Sequence, residues 1–261
     1  MEHEGRTYPA AVAETWPVAI EEAAEPVHLD PELLASGRSH VDEVARRTPR
    51  LHDGPVLALD CVEGETLHAR PSGYLATVAT ADALRAEWER EGFGPMRARA
   101  HEVAGFDPLR NGNGRGAAVG LAVVTALGGR VLLGRRSESV AADPGLWHVA
   151  PSGMLEPGVD LADQMDRELE EELGPQDVGW SARVLGLGFD LLRLRPEVCW
   201  SLEPIDEPEL RLGEEFIEAR WIDPAVEWPE ELTPAAAGAL ALFLANHGRS
   251  GVESGRLHCG P

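Results

Sequence analysis

At 261 residues and 43% apolar content, the chain is long enough for one generous globular domain or two smaller ones sharing an interface. A formal net charge of −22 repels nucleic-acid polymers and acidic membrane surfaces, while suiting divalent cations, for which clustered carboxylates are hard oxygen ligands. All 23 basic residues are arginine, and the 3 cysteines, Cys61, Cys199 and Cys259, form no close pair, so neither a disulfide framework nor a zinc knuckle is expected. The acidic start MEHEGRTYPA, with no apolar run behind it and no stretch of membrane-spanning length, points to a soluble cytoplasmic protein.

In chain order, SHVDEVARR (39–47) reads as a helix with Ser39 as its cap. From Gly54 onward, two alternating apolar runs around Glu63-Gly64 read as a β-hairpin, and ADALRAEWERE (81–91) reads as a helix. Together these form a small N-terminal α+β region, residues 1–112, with no catalytic cluster. FDPLRNGNGRG (106–116) concentrates Gly and Asn. Lacking a strand before it and a helix after it, it reads as a turn-rich connection and not as a dinucleotide loop.

Beyond it, AAVGLAVVTAL and RVLLGRR form a hairpin about Gly128-Gly129, and LWHVAPSG (146–153) is a strand running into a turn. In DLADQMDRELEEEL (160–173), Asp160 is the N-cap, Leu161, Met165, Leu169 and Leu173 share one face, and Gly174-Pro175 stops the helix. Three strands follow in SARVLGLGFDLL, EVCWSLEPI and EFIEARWID, then a helix over 233–247 ended by Gly248. Residues 113–250 thus make a second domain with a mixed sheet between helices, an α+β fold of the α/β/α sandwich type, followed by a flexible tail at 251–261.

Glu168, Glu171 and Glu172, three and four positions apart, place three carboxylates on one helical stripe. Such a stripe calls for either full solvation or a cation. Gly153, Arg167, Glu168, Leu169, Glu171, Glu172 and Gly174 fall at the spacings of the Nudix box, and this segment resembles it. The resemblance covers roughly residues 116–247. It implies a Nudix fold and a hydrolase that uses Mg²⁺, with Mn²⁺ as an alternative, held by Glu168, Glu171 and Glu172 to split a diphosphate bond. It implies further that Arg167 orients a box glutamate.

Departures are Val159 where the box has a glutamate, Pro175 where it has an aliphatic residue, and Ser152 where it has a glycine. Glu156 or Asp160 is the candidate to replace the missing glutamate. A further carboxylate from outside the box is expected, with Glu197 favoured over Glu214 and Glu215. Arg135 and Arg136 are candidates for substrate phosphate, or ordinary strand-end charges, and Trp147 for the substrate pocket or the core. His148 is open between acid and buried polar group.

The layout is similar to Nudix enzymes acting on UDP-sugars, which implies a small-molecule nucleotide sugar cleaved to a nucleoside monophosphate and a sugar phosphate, with no nucleic-acid polymer or membrane as partner. ADP-ribose, dinucleotide and prenyl diphosphate substrates, a homodimeric assembly, and a catalytically silent nucleotide sensor are the alternatives.

Overall fold

A computed structural model describes residues 1–3, 5–13, 19–105, 107–175, 178–206, 208–247 and 257–258. Strands β1 (Glu2–His3) and β2 (Arg6–Thr7) pair with each other, β3 (Ala10–Ala13) joins the large sheet described below, and β4 (Ala19–Glu22) joins a small one. Helix α1 (Pro31–Arg47) starts eight residues before the expected Ser39 cap. Its cap is Asp30, whose carboxylate accepts from the amides of Glu32 and Leu33 at 3.0 Å, with Pro31 in the first turn where its missing N–H costs nothing.

The hairpin about Gly64 forms as expected: β5 (Pro55–Glu63) and β6 (Thr66–Gly73) pair antiparallel, and β4 adds in parallel. Next, α2 (Tyr74–Thr77), one π-helical turn (Val78–Asp82) and α3 (Ala83–Glu91) run on without a break, so the helix expected at 81–91 begins earlier. Helix α4 (Pro95–Ala104) opens on a proline but has no side chain of its own N-cap residue, Gly94, to cap it. Its first amides, Met96 and Arg97, are satisfied by the Glu87 carboxylate at 2.7 and 2.8 Å, a cap delivered from the preceding helix.

The larger half comprises β7 (Gly120–Leu127), β8 (Arg130–Arg136), β9 (Trp147–Val149), β10 (Ser152–Met154), α5 (Leu161–Leu173), β11 (Trp180–Asp190), β12 (Arg195–Pro204), β13 (Phe216–Ile222), α6 (Pro234–His247) and β14 (Leu257–His258). The main sheet runs β13-β8-β7-β12-β11-β14, with β7 and β12 parallel and the other neighbours antiparallel. Alternation divides the core. Leu121, Val123, Leu132, Val198, Trp200 and Leu202 face Met165, Leu169 and Leu173 of α5. Ala122, Val124, Val131, Leu133 and Cys199 face Ala236, Leu240 and Phe243 of α6. This is the expected sandwich of a mixed sheet between helices. Gly248 and most of the tail assigned to 251–261 lie outside the described residues. No helix among the described residues is long and apolar enough to cross a membrane.

The connection at 107–116 is no loose tether. A Cβ on Gly112 would collide with the carbonyl of Leu59, and the fully buried Arg115 donates to the carbonyls of Leu194 (2.5 Å), Asn111 (2.8 Å) and Pro108. Strand β5 is stitched onto the larger half: Leu59 N to Ala117 O at 2.9 Å, Val119 N to Leu57 O at 2.8 Å, and Leu57 N to Leu155 O at 2.7 Å.

A buried ion cluster adds a second clamp. Arg193, in the β11–β12 turn, meets Asp82 of the π turn at 2.5 Å, Asp190 at 2.9 Å and Asp143 of the β8–β9 loop at 3.1 Å. Burial works against Asp190's charge, but Arg193 and Arg195 outweigh it and hold its carboxyl below the usual range. Removing one partner of such a cluster leaves uncompensated buried charge, so Arg193→Met is expected to cost about 3–5 kcal/mol in urea unfolding. A loss below about 1 kcal/mol, the range of exposed ion pairs, would show that the cluster does not hold the two halves together.

Candidate functional site

Helix α5 is amphipathic by necessity. With its Met165-Leu169-Leu173 stripe driven into the sheet, the adjoining stripe is carried to the edge of the core, where Glu172 becomes 3% exposed and Glu168 half-buried, while Glu171 stays exposed. A fully solvated acidic face is therefore excluded. Asp160 caps the helix through the Ala162 amide at 2.8 Å, and Gly174 ends it with φ +81°, as the sequence led one to expect.

Box residues ahead of the helix receive these carboxylates. Ser152 donates to Glu172 from its amide (3.0 Å) and its hydroxyl (3.2 Å), and Gly153 lies so close to Glu168 that a Cβ would collide with the carboxylate. Ser152, noted in the sequence only as a departure from glycine, thus acquires a task. Leaving the helix end, the chain returns as a loop: Arg211 N donates to Leu173 O at 2.8 Å and Gly213 N to Glu172 O at 2.9 Å. This docking brings Glu215 near the buried carboxylates.

Their electrostatics follow from crowding. Burial first, then Glu171 and Glu215, pushes the Glu168 carboxyl up to about 7. Burial and then Glu215 raise Glu172 well above the usual carboxylate range, with Arg136 and the Ser152 hydrogen bonds opposing. Charges this under-compensated fit a divalent cation, the hard partner that oxygen-rich sites take. Among the described residues no three such groups already converge as a closed cation cage.

A cleft of about 470 Å³ opens beside this wall. Its lining includes Glu168, Ser152 and Glu215, the ion pair of Arg195 and Glu197, Arg136, and, from the N-terminal region, Leu51, Pro55, Val56 and Tyr74. Residues of the N-terminal region thus help build the cavity.

The candidates separate by strand alternation. Arg136 faces the cleft and pairs with Glu215 at 3.3 Å; Arg135, one residue away, points elsewhere, donating to Gly145 O at 3.1 Å, and does not line the cleft. Trp147 is not a lining residue either. It lies in the α6-side core, 8% exposed, beneath the Arg220 guanidinium at 4.4 Å. Glu197 lines the cleft but is 2% exposed and clamped by Arg195, whose Nε and Nη2 both reach its Oε1 at 2.8 Å; burial still raises its carboxyl despite Arg195. Glu214 pairs with Arg50 of the N-terminal region.

Arg167 pairs with Glu156 at 2.7 Å, and not with a box glutamate as the resemblance implied. Glu156 thereby ties the box loop to the helix near Val159, while Asp160 is occupied as the cap. His148 lines the cleft at 9% exposure, bonded through Nδ1 to Thr233 Oγ1 at 2.7 Å, and burial followed by Arg136 holds its pKa well below the usual value, which favours the neutral ring. Arg195 and Tyr74 went unnoticed in the sequence, because neither belongs to a motif and only the fold brings them to the cleft.

Residues 114–243 match the family model of the NUDIX domain. An uncharacterised Nudix hydrolase of Pseudomonas aeruginosa is 36% identical over 121 residues, which is 44% of this chain and 70% of that protein. An m7GpppN-mRNA hydrolase of Xenopus laevis is 39% identical over 108 residues, 40% of this chain, and the match spans only 35% of that protein. Among solved structures, an ADP-ribose pyrophosphatase from Streptococcus suis aligns at 20% identity with a TM-score of 0.41, covering 53% of this chain and 96% of its own. A MutT Nudix hydrolase from Burkholderia pseudomallei aligns at 24% identity with a TM-score of 0.37, covering 48% and 96%.

The raised carboxyls make stability depend on pH. For Glu168 and Glu172 the folded pKa lies above the unfolded one, so their contribution is fully present below about 4.5, the ordinary glutamate value, and is lost as pH rises through about 7 and beyond. The metal-free Tm is expected to fall across that window, and millimolar Mg²⁺ to flatten the decline. A metal-free profile identical to that of Glu168→Gln/Glu172→Gln would refute this account.

Proposed function

We propose, starting from the fact that this chain belongs to the Nudix hydrolase family and is a pyrophosphate hydrolase, that its substrate is a nucleoside diphosphate joined to a sugar. The products would be a nucleoside monophosphate and a sugar phosphate. The observation that carries this reading is the cleft's mixed lining: the carboxylates and Arg136 share it with Leu51, Val56, Tyr74, His52 and Ser139. A volume of about 470 Å³ lies within the usual range for small-molecule sites. Polar groups interspersed along that lining suit sugar hydroxyls and a base better than the bare hydrocarbon of a prenyl chain.

Nudix hydrolases use divalent metals, and Mg²⁺, with Mn²⁺ as substitute, suits the hard carboxylate oxygens of Glu168 and Glu172, with Glu171 at the exposed rim. When bound there, the cation supplies neutralisation of diphosphate oxygens and acidification of water. The chain's own residues do the rest. Ser152 holds the Glu172 carboxylate at a fixed angle through two hydrogen bonds, so its oxygens keep their position as charge changes nearby. Arg136 offers its guanidinium to a substrate phosphoryl oxygen.

Water attacks one phosphorus, the bridging P–O bond breaks, and the proton from that water goes to a carboxylate. We assign that task to Glu215, which acts directly on the charges of Glu168 and Glu172, in place of Glu197, whose Oε1 is held by Arg195. Arg167 acts through Glu156 to steady the box loop.

Turnover on a panel of nucleoside diphosphate sugars, ADP-ribose, dinucleotides and prenyl diphosphates, with and without Mg²⁺, tests the substrate class. A nucleotide sugar with the highest kcat/KM supports the reading; a prenyl diphosphate in that position ends it. Glu172→Gln is expected to lower kcat by about 10²–10⁴-fold. Glu215→Gln is expected to lower kcat to a similar degree, with Glu197→Gln costing far less. The reverse pattern would return the proton to Glu197.

A further inference from the structure

The β8–β9 loop, residues 137–146, walls the cleft through Ser139, Val140, Ala141 and Ala142, and three of its anchoring contacts come from the N-terminal region. Arg47, in the last turn of α1, donates to the carbonyls of Val140 at 2.9 Å and Ala141 at 2.6 Å. Arg85 of α3 forms an ion pair with Asp143, whose other oxygen meets the buried Arg193 at 3.1 Å. Asp143 itself sits at φ +53°, a left-handed conformation that a non-glycine residue keeps only when its surroundings dictate it.

One residue earlier, the carbonyl of Ala142 accepts from Arg136 Nε at 3.0 Å. The same Arg136 reaches Glu215 at 3.3 Å with Nη2. Its guanidinium is therefore held between a loop carbonyl on one edge and a carboxylate on the other. Without the carbonyl, the carboxylates and the Phe216 ring at 6.0 Å are what direct it, and the stronger attraction of the acids draws the cation away from an incoming anion.

We propose that Arg85 and Asp143 are positioning residues for substrate binding: by fixing the β8–β9 loop they fix the Ala142 carbonyl, and through it the arginine that meets the diphosphate. The N-terminal region thereby sets substrate affinity without touching the reacting atoms. The substrate part of this rests on the hydrolase reading above; the loop tether does not.

Three measurements on the full chain test it: affinity for inorganic diphosphate with Mg²⁺ by calorimetry, amide exchange over residues 139–143, and steady-state kinetics with the best substrate of the panel. Arg85→Met is expected to weaken diphosphate binding and raise KM by about 5–20-fold, with kcat changed by less than about threefold, and to speed exchange in the loop. Arg85→Lys, which keeps the charge, is expected to recover most of the affinity. Asp143→Asn keeps the side-chain shape while weakening both ion pairs. Combined with Arg85→Met, it should cost less than the sum of the two single changes, because both remove one interaction.

Unchanged affinity and unchanged exchange in folded Arg85→Met and Asp143→Asn would overturn the proposal. So would a fall in kcat with KM constant. If no panel member is turned over but diphosphate affinity still depends on Arg85 and Asp143, the positioning role stands and the hydrolase reading falls.

Discussion

A carboxylate removed from water must find a hydrogen-bond donor, a cation or a proton, and Glu172 shows how much of this structure is arranged around that requirement. Its burial follows from the apolar face of α5, which cannot pack on the sheet without drawing the next stripe toward the core. Ser152 provides donors, Arg136 provides distant positive charge, and Glu168 and Glu215 aggravate the repulsion. The outcome is a site whose empty form is electrostatically unfavourable. A folded protein keeps such an arrangement at a cost to stability that ligand binding offsets.

Much of the catalytic half was legible because its signals are local and periodic. The β-rich apolar runs GLAVVTAL and RVLLGRR on either side of Gly128-Gly129 marked the hairpin, and the leucine spacing and Asp160 marked the box helix with its boundaries. Spacing alone brought together Gly153, Glu168 and Glu172. What escaped is non-local. The start of α1 depends on Asp30, which was overlooked for a weaker cap at Ser39, and α4 is capped by a glutamate from another helix.

Choosing between Arg135 and Arg136 required knowing which face of β8 looks into the cleft, a fact set by sheet order and not by β8 itself. Trp147 was ambiguous for the same reason. The ion cluster joins Asp82, Asp143, Asp190 and Arg193 over separations of up to 111 residues, and no pattern in a single sequence marks such partners.

The stitching of β5 onto residues 117–119 and Leu155 has a bearing on how the molecule comes apart. Family resemblance begins at residue 114, but the hydrogen-bond ladder crosses that point, and Leu57 and Leu59 share a core with Leu121 and Met165. Cooperativity follows the shared core and not the boundary of the recognisable segment. The two halves are thus one unfolding unit: opening the N-terminal sheet strips donors and acceptors from the strand that leads into the β7–β8 hairpin and from the loop that leads into α5. A fault in the first hundred residues is thereby transmitted to the box by loss of backbone pairing, without any side chain of the box being altered.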